Sequence, residues 1–513
     1  MSSVTEARPG APGQPRAAAR PPRWRFIRRI PRAARWCALV AFLNAAVWAG
    51  LTPIFHVPDE TSHVAYLQYL AETGKVPNTP GGNGISDEEA GVMEQLRFND
   101  VVGFRDELSL SSDAEQRNLD LVERNRPNPA NGGGVIETSG QPPLYYALGS
   151  AIYLASPWKG LTQRVLLIRL LSALCAAATT LFVFMFLREL FAEPWTWTVG
   201  ALAVAFQPMV GFMAGGVHPD NLFFAASAAL LFGLARAFRR GLTPALGAGI
   251  GAALAVGVLS KINFYALLPG AVFALGMLVW RAHGRRGDAV RGAAVSLALL
   301  AVALGGYAVL NKTVWDRQAL GGGVENAADV SVNRGAAGVE PINLREQLTY
   351  TWQLYLPRLP FMHDQFGYFP PYSVWFKGTI GKLGWLDTYW PNWVYRLALG
   401  IFVPLLVLAA LALWRRRQAL VRIWPALLSY AVLAAGVMGS IGFFGIRFTR
   451  DTGYDFAQAR YLFPFLAFYG AFVALAALGA GRRFGRPLGA ALVMLAMIHG
   501  LLAQLLVISR FYA

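Results

Sequence analysis

The segment Pro58-Asp59-Glu60-Thr61-Ser62-His63 places two carboxylates and an imidazole directly after the first long apolar run of the chain. Ionisable groups beside a bilayer are costly to desolvate unless paired, so such a cluster is by default a functional-site candidate. If the segment is helical, Asp59 and His63 share a face at i,i+4, and Glu60 points about a quarter-turn away. That spacing suits a general base taking a proton from a hydroxyl, with Asp59 or Glu60 as the base. It equally suits a helix start at which Asp59 is the cap. His63 is read as orienting Asp59, contacting substrate or ligating a metal. One histidine with two carboxylates is too few to assign zinc, so no cofactor is assigned; a divalent metal stays open but is not supported by the sequence.

Further polar groups recur at the ends of later apolar runs. His218-Pro219-Asp220 precedes one of them, where Asp220 is either a helix cap or a second acidic group facing Asp59. Lys261 lies between two apolar runs and either snorkels to the surface or meets an anion. Arg460-Tyr461 opens another run, where a guanidinium can grip a phosphate with two parallel hydrogen bonds. Gly247-Ala248-Gly249-Ile250-Gly251 has no following Gly-Lys-Ser/Thr and reads as a helix-packing face, not a nucleotide loop.

The elements that must position these groups are membrane spans. Hydrophobic residues make up 55% of the 513, and the mean hydropathy is +0.40. Eleven apolar runs are long enough to cross ~30 Å of hydrocarbon: 34–54, 163–187, 195–215, 221–238, 243–260, 262–280, 291–310, 397–414, 423–443, 461–480 and 487–508. The expected fold is therefore an all-α polytopic membrane bundle. The net charge of +17 does not point to nucleic acid. Arginines cluster before 34 and near 236–240, 281–291, 415–422 and 482–486, which are alternate connections. This positive-inside pattern predicts a cytoplasmic N-terminus, with the reactive clusters on the external face. Cys37 and Cys175 fall inside apolar runs and imply neither a disulfide nor a thiolate metal site.

Residues 1–33, rich in Arg, Pro and Ala, read as a disordered cytoplasmic tail. A module over 34–310 carries a first external loop, 56–162, and 311–396 forms a second. The helices of 397–513 complete the chain. Fifteen carboxylates against six Lys/Arg make 56–143 acidic, and its Gly/Asn-rich centre, from Gly81 to Gly134, reads as partly mobile. The short apolar stretch 144–156 is expected to lie on the outer membrane surface, since counting it as a span would invert every later loop. The second loop is dense in aromatics from Trp352 to Trp393, read as an interfacial belt with lipid- or sugar-contacting members.

Asp59-Glu60 after the first span, Gln141-Pro142-Pro143-Leu144-Tyr145-Tyr146 closing the first loop, and Asp220 at the next outer turn resemble the GT-C superfamily of glycosyltransferases. More narrowly, Pro58-Asp59-Glu60-x-x-His63, Gly384-Trp385-Leu386-Asp387 and Ala459-Arg460-Tyr461-Leu462-Phe463-Pro464 resemble a bacterial membrane family of unknown function. The resemblance spans roughly 34–480. It implies a GT-C-like bundle in a bacterial plasma membrane. It also implies transfer of a sugar from a polyprenyl-phosphate carrier to a glycan, lipid or protein acceptor on the external face. It assigns Asp59, with Glu60 as alternative, as base, Asp220 as second acid, and Arg460 and Lys261 as contacts of the carrier phosphate. Gln141, Tyr145, Tyr146, His218, Trp385, Asp387 and Tyr461 are placed along a substrate groove. Ala459 departs from the Gly expected before the Arg-Tyr pair. The physical logic agrees: without nucleotide sugars outside the cell, an external transferase needs a membrane-borne donor. The competing readings are a flippase for a lipid-linked sugar and a polymerase or ligase using diphosphate-linked glycans. A flippase would spread its polar residues near the midplane on broken helices.

Overall fold

The structure, a computed structural model, describes residues 30–78, 83–134, 136–321 and 342–513. Every structural statement below refers to these residues. Most of the proposed tail, residues 1–29, lies outside them, and the first helix begins at Arg32.

The chain is a multi-pass, all-α membrane protein. Among the described residues nine helices are long and apolar enough to cross a bilayer, and ten if the bent pair Pro194–Ala205 and Pro208–Ala214 is one span. The remaining expected span is the 17-residue apolar helix Pro244–Ser260, about 25 Å long. It returns antiparallel to Asp220–Arg240, because Lys261 at its end is ion-paired with Asp220 at the start of the other. Ser296 seals it to Arg286–Thr313 by donating to the Gly247 carbonyl at 2.8 Å. Gly247 and Gly251 thus serve helix packing, lying against Gly292 and Ser296, while Gly249 faces outward.

The span expected as a single run over 195–215 is broken by 59°. Proline at 208 disfavours helix at the residue before it, and Gln207 is extended, with its side chain accepting from the Val210 N–H at 2.7 Å. The carbonyl of Ala205 at the break receives the Asn44 amide at 2.9 Å, and Gln504 donates to Asn44 at 3.1 Å. Neighbouring side chains thus satisfy backbone that the break exposes to an apolar surround.

Leu144–Ala155 spans 12 residues, too short to cross. It is more deeply packed than a surface helix. Tyr145, Tyr146 and Tyr153 are buried against Glu60–Thr73 and Leu161–Leu190, leaving Leu148 and Leu154 exposed. Within the stretch from Gly81 to Gly134, which composition marks as partly mobile, the described residues hold two longer helices, Asp87–Gln95 and Asp113–Asn125. Ser86 and Ser112 cap them, the second through a capping box with Glu115. Local capping, which composition does not register, starts both helices.

The second loop carries the amphipathic helix Leu344–Tyr355 and a two-stranded hairpin, with Lys382 paired to Tyr389 and Leu383 to Thr388. Its turn is Gly384-Trp385-Leu386-Asp387, with positive φ at Gly384 and Leu386. At the end of the bundle opposite Asp220 and Lys261, the buried carboxylate of Glu189 receives Arg236 at 3.0 Å, Arg239 at 3.3 Å and Arg240 at 3.0 Å. This arginine-rich connection and the Asp220–Lys261 pair therefore occupy opposite ends of the helix Asp220–Arg240.

Candidate active site

Asp59 lies between the first helix and Glu60–Thr73, in the left-handed region at φ 63°. An aspartate tolerates that conformation at a modest cost. Its side chain makes no cap bond, so the simple capping role is not realised. His63 N–H donates to the Asp59 carbonyl at 3.1 Å, which keeps the two residues on one turn.

The Asp59 carboxylate accepts from Arg460 Nη2 at 2.6 Å and stands 3.9 Å from His218 Nε2. Arg460 Nη1 lies 3.1 Å from the same imidazole nitrogen. Asp220 is the first residue of its helix, with Pro219 at the cap position. It pairs with Lys261 and lies 3.5 Å from His218 Nδ1. A neutral imidazole carries one N–H, and in either tautomer the His218 ring lies between the two carboxylates. His63 packs edge-on to His218 at 4.3 Å between centroids. Its Nδ1 bonds the Tyr146 hydroxyl at 2.9 Å, and its buried Nε2 has no partner. Two carboxylates, two cations and two imidazoles thus form one contiguous network in which charge balances.

Electrostatics sets the protonation states. Burial alone raises the Asp59 carboxyl, but the Arg460 charge and the His218 contact outweigh it and hold the group well below its ordinary 3.8. Burial pushes the imidazoles of His63 and His218 below their ordinary 6.5, and the nearby Lys261 and Arg460 charges add to this. At neutral pH Asp59 is an anion and both imidazoles are uncharged.

A cavity of about 300 Å³ opens beside this network, lined among others by Pro58, Met209, Met213, Tyr368, Lys382, Asp455 and Arg460. Its two methionines come from the short helix after the bend, which is why the break matters to the site. Tyr368 donates to Asp455 at 2.7 Å. The Gly378 backbone closes on Ala459, where an added Cβ would stand 2.8 Å from the alanine methyl.

Glu60 faces away from this space. It is fully buried and engages Arg169 through both oxygens, at 2.8 and 2.6 Å. The same carboxylate accepts from the Phe55 and Val217 N–H groups, at 2.9 and 2.8 Å. Arg169 also donates to the carbonyls of Ala49, Thr52 and Pro53. This pair ties the end of the first helix, the 53–57 turn and the residue before His218 together. Gly216 permits the close approach, since a Cβ there would stand 2.6 Å from Val57.

The remaining sequence candidates surround the network. Tyr145 shares a hydrogen bond with Ser172 at 2.7 Å and accepts from the His218 N–H at 3.0 Å. Tyr146 stacks on Tyr66 at 3.8 Å. Gln141 accepts from the Ile262 N–H at 3.3 Å, beside Lys261. These three buttress the histidines and Lys261 from behind. Trp385 donates to the Phe55 carbonyl at 3.2 Å, and Asp387 faces Arg510 at 3.6 Å. Both pin the hairpin to its neighbours, while its Lys382 and Leu386 reach the cavity. Tyr461 packs on Phe456 at 5.2 Å.

Sequence reasoning did not single out Arg169, Lys382 or Asp455, and read Tyr368 only as one of the second loop's aromatics. An arginine at 169, inside the apolar run 163–187 and beyond Arg164 at its start, was itself a readable signal; Lys382 and Asp455 carry none. It also missed that Asp59, His63 and His218 bring one ligand atom each within 4.8 Å of one another. An oxygen and two imidazole nitrogens suit a divalent ion, but only if Arg460 gives up Asp59.

Residues 42–469 match the family described as Predicted membrane protein (DUF2142). None of the curated proteins matches the chain. Among solved structures, ArnT from Cupriavidus metallidurans bound to undecaprenyl phosphate aligns with 86% of this chain and 60% of its own, at 16% identity and a TM-score of 0.44. The oligosaccharyltransferase of Archaeoglobus fulgidus, in its apo form, aligns with 92% of this chain and 56% of its own, at 13% identity and a TM-score of 0.46. The chain spans less than two thirds of the length of these structures. The family match takes in the whole charged network from Asp59 to Arg460, and the chain belongs to the DUF2142 family of membrane proteins.

Proposed function

We propose that the protein is an inverting, GT-C type glycosyltransferase. It moves a sugar from a polyprenyl-phosphate carrier to an acceptor hydroxyl at the end of the bundle that carries Asp59, read from the arginine distribution as the external face. The observation that carries this reading is an ionised Asp59 beside a cavity large enough for a sugar-sized group, with a guanidinium on the cavity wall. Asp59 takes the proton of the acceptor hydroxyl as its oxygen bonds to the anomeric carbon. The carbon–oxygen bond to the carrier phosphate breaks, and the electron pair leaves on the phosphate, whose growing charge Arg460 stabilises. One displacement inverts the anomeric centre.

Within this reading Asp220 and Lys261 are buried supports, since each neutralises the other. His218 relays their position to Asp59, and Glu60 positions the loop through Arg169. Purified protein incubated with a panel of radiolabelled polyprenyl-phosphate sugars and candidate acceptors is expected to transfer one of them with inversion. Labelled lipid that crosses proteoliposomes without any transfer would instead favour a flippase. The bent helix pair is the feature that favours that second reading, and the confinement of the network to one end of the bundle weighs against it.

Two solution properties follow. An Asp59 held below 3.8 stays a charged base as pH falls from 7 through 5, so kcat/KM is expected to show no Asp59 limb until below about pH 4. Its contribution to folding is present above 3.8 and is lost as pH falls through the lower folded value. His63 and His218, already neutral, add no inflection near 6.5. A kcat/KM limb between pH 5 and 7 would contradict this assignment of charges. Chelation is the second test. Arg460 and Lys261 already balance both carboxylates and repel a further cation, so dialysis against EDTA is expected to leave turnover unchanged. A loss restored by Mn²⁺ or Zn²⁺ would assign Asp59, His63 and His218 to a resident ion.

A further inference from the structure

We propose that the Asp59–Arg460 ion pair is a resting-state latch, opened when a phosphate group on a lipid carrier takes Arg460 and frees Asp59 to face the acceptor. The inference rests on the transferase reading and adds an obligatory exchange of partners to it.

The geometry of displacement demands the exchange. In an inverting reaction the attacking and leaving oxygens lie on opposite sides of the anomeric carbon. Reacting atoms close to about 3 Å, with hydrogen bonds of about 2.8 Å at either end, set the base and the phosphate clamp roughly 6–8 Å apart. In the structure the same two groups touch at 2.6 Å. Held Oδ2 to Nη2, the pair cannot give each role its full strength without separating.

The two ion pairs of the network differ in their freedom to do so. The Asp220 side chain is 3% exposed against a Lys261 that is 10% exposed, so parting them would strand two buried charges. The Asp59 side chain is 44% exposed and can rehydrate once released. Arg460 has unused capacity as well: its buried Nε has no partner, and only Nη2 reaches a carboxylate. A tetrahedral phosphate in the adjoining cavity can accept from two guanidinium nitrogens, a better match than the single bond to Asp59. Losing Arg460 also removes the main influence that keeps Asp59 a weak base. The carboxylate therefore gains basicity only when donor is present, which disfavours a free active base in the empty enzyme.

The test is a double-mutant cycle on binding, read without turnover. Polyprenyl phosphate lacking a sugar is titrated against the full chain in nanodiscs, with inorganic phosphate in a parallel arm. Asp59→Asn is expected to bind polyprenyl phosphate about ten- to hundredfold more tightly than wild type, since a charge-assisted competitor is gone. Arg460→Gln is expected to weaken binding. In the Arg460→Gln background, Asp59→Asn is expected to change affinity little, and Asp455→Asn, which removes a cavity charge not held by Arg460, is expected to change it little in wild type. Inorganic phosphate is expected to show the same order at far lower affinity. Unchanged affinity in Asp59→Asn, or a tightening that persists without Arg460, overturns the latch while leaving Asp59 free to be the base. Absence of polyprenyl-phosphate binding by every variant, wild type included, overturns the donor assignment itself.

Discussion

Asp59→Asn is expected to lower sugar transfer by about 10²–10⁴-fold, the usual consequence of removing a general base, while the protein still inserts and folds. Two features separate the catalytic effect from a structural one. The Asp59 side chain caps no helix, and it is the most exposed member of the network, so an amide of the same shape fits without burying a new charge. On the proposed mechanism, what the variant loses is the proton acceptor. Arg460 keeps a hydrogen-bond partner in the asparagine carbonyl, so the local packing is retained. The measurement is initial-rate transfer from the labelled donor, alongside size-exclusion and melting profiles in detergent. Wild-type-like rates in a well-folded Asp59→Asn protein would remove this residue from the chemistry and leave the network without an exposed base.

Arg169→Met is expected to act in the opposite manner, through folding. It would leave the fully buried Glu60 carboxylate with two backbone donors, take the Arg169 donors from the carbonyls of Ala49 and Thr52, and leave Pro53 only the His56 N–H. Removing one partner of a buried ion pair typically costs about 3–5 kcal/mol, a large share of the stability of an ordinary domain. Arg169→Lys keeps the charge but loses the planar fork that serves a carboxylate and three carbonyls together, so it should fall between wild type and Arg169→Met. Melting temperatures in detergent check the order. A variant lacking the guanidinium yet melting with wild type would show that the 53–57 turn holds itself. Because Glu60 adjoins Asp59 and accepts from Val217, beside His218, partial loss of this pair should also lower turnover in whatever protein remains folded.

Much of the architecture was legible because it rests on local patterns. Long apolar runs can only be satisfied as helices in a bilayer, and arginine clusters at alternate connections order them. The charged candidates Asp59, His63, His218, Asp220, Lys261 and Arg460 could likewise be chosen one by one, since polar groups at span ends need a reason to be there. The break at Gln207-Pro208 was encoded too, but a hydropathy window averages across a single proline. Relations between distant elements were hidden: a sequence cannot state that Arg460 meets Asp59, or that His218 stands between two carboxylates. The same holds for the motif Gln141-Pro142-Pro143-Leu144-Tyr145-Tyr146 and for Trp385-Asp387, whose residues buttress or pin the site from outside the cavity.

From residue order alone came the membrane bundle, the arginine-rich connections, and the identity of most charged residues in the network. Those properties follow from transfer free energies that act on each segment independently. Packing alone settled the pairings: Glu60 with Arg169, Asp59 with Arg460, Asp220 with Lys261, and a cavity walled by Met209, Met213, Tyr368, Lys382 and Asp455. A buried charge must find a partner, but which partner depends on which helix ends the folded bundle brings within hydrogen-bond reach.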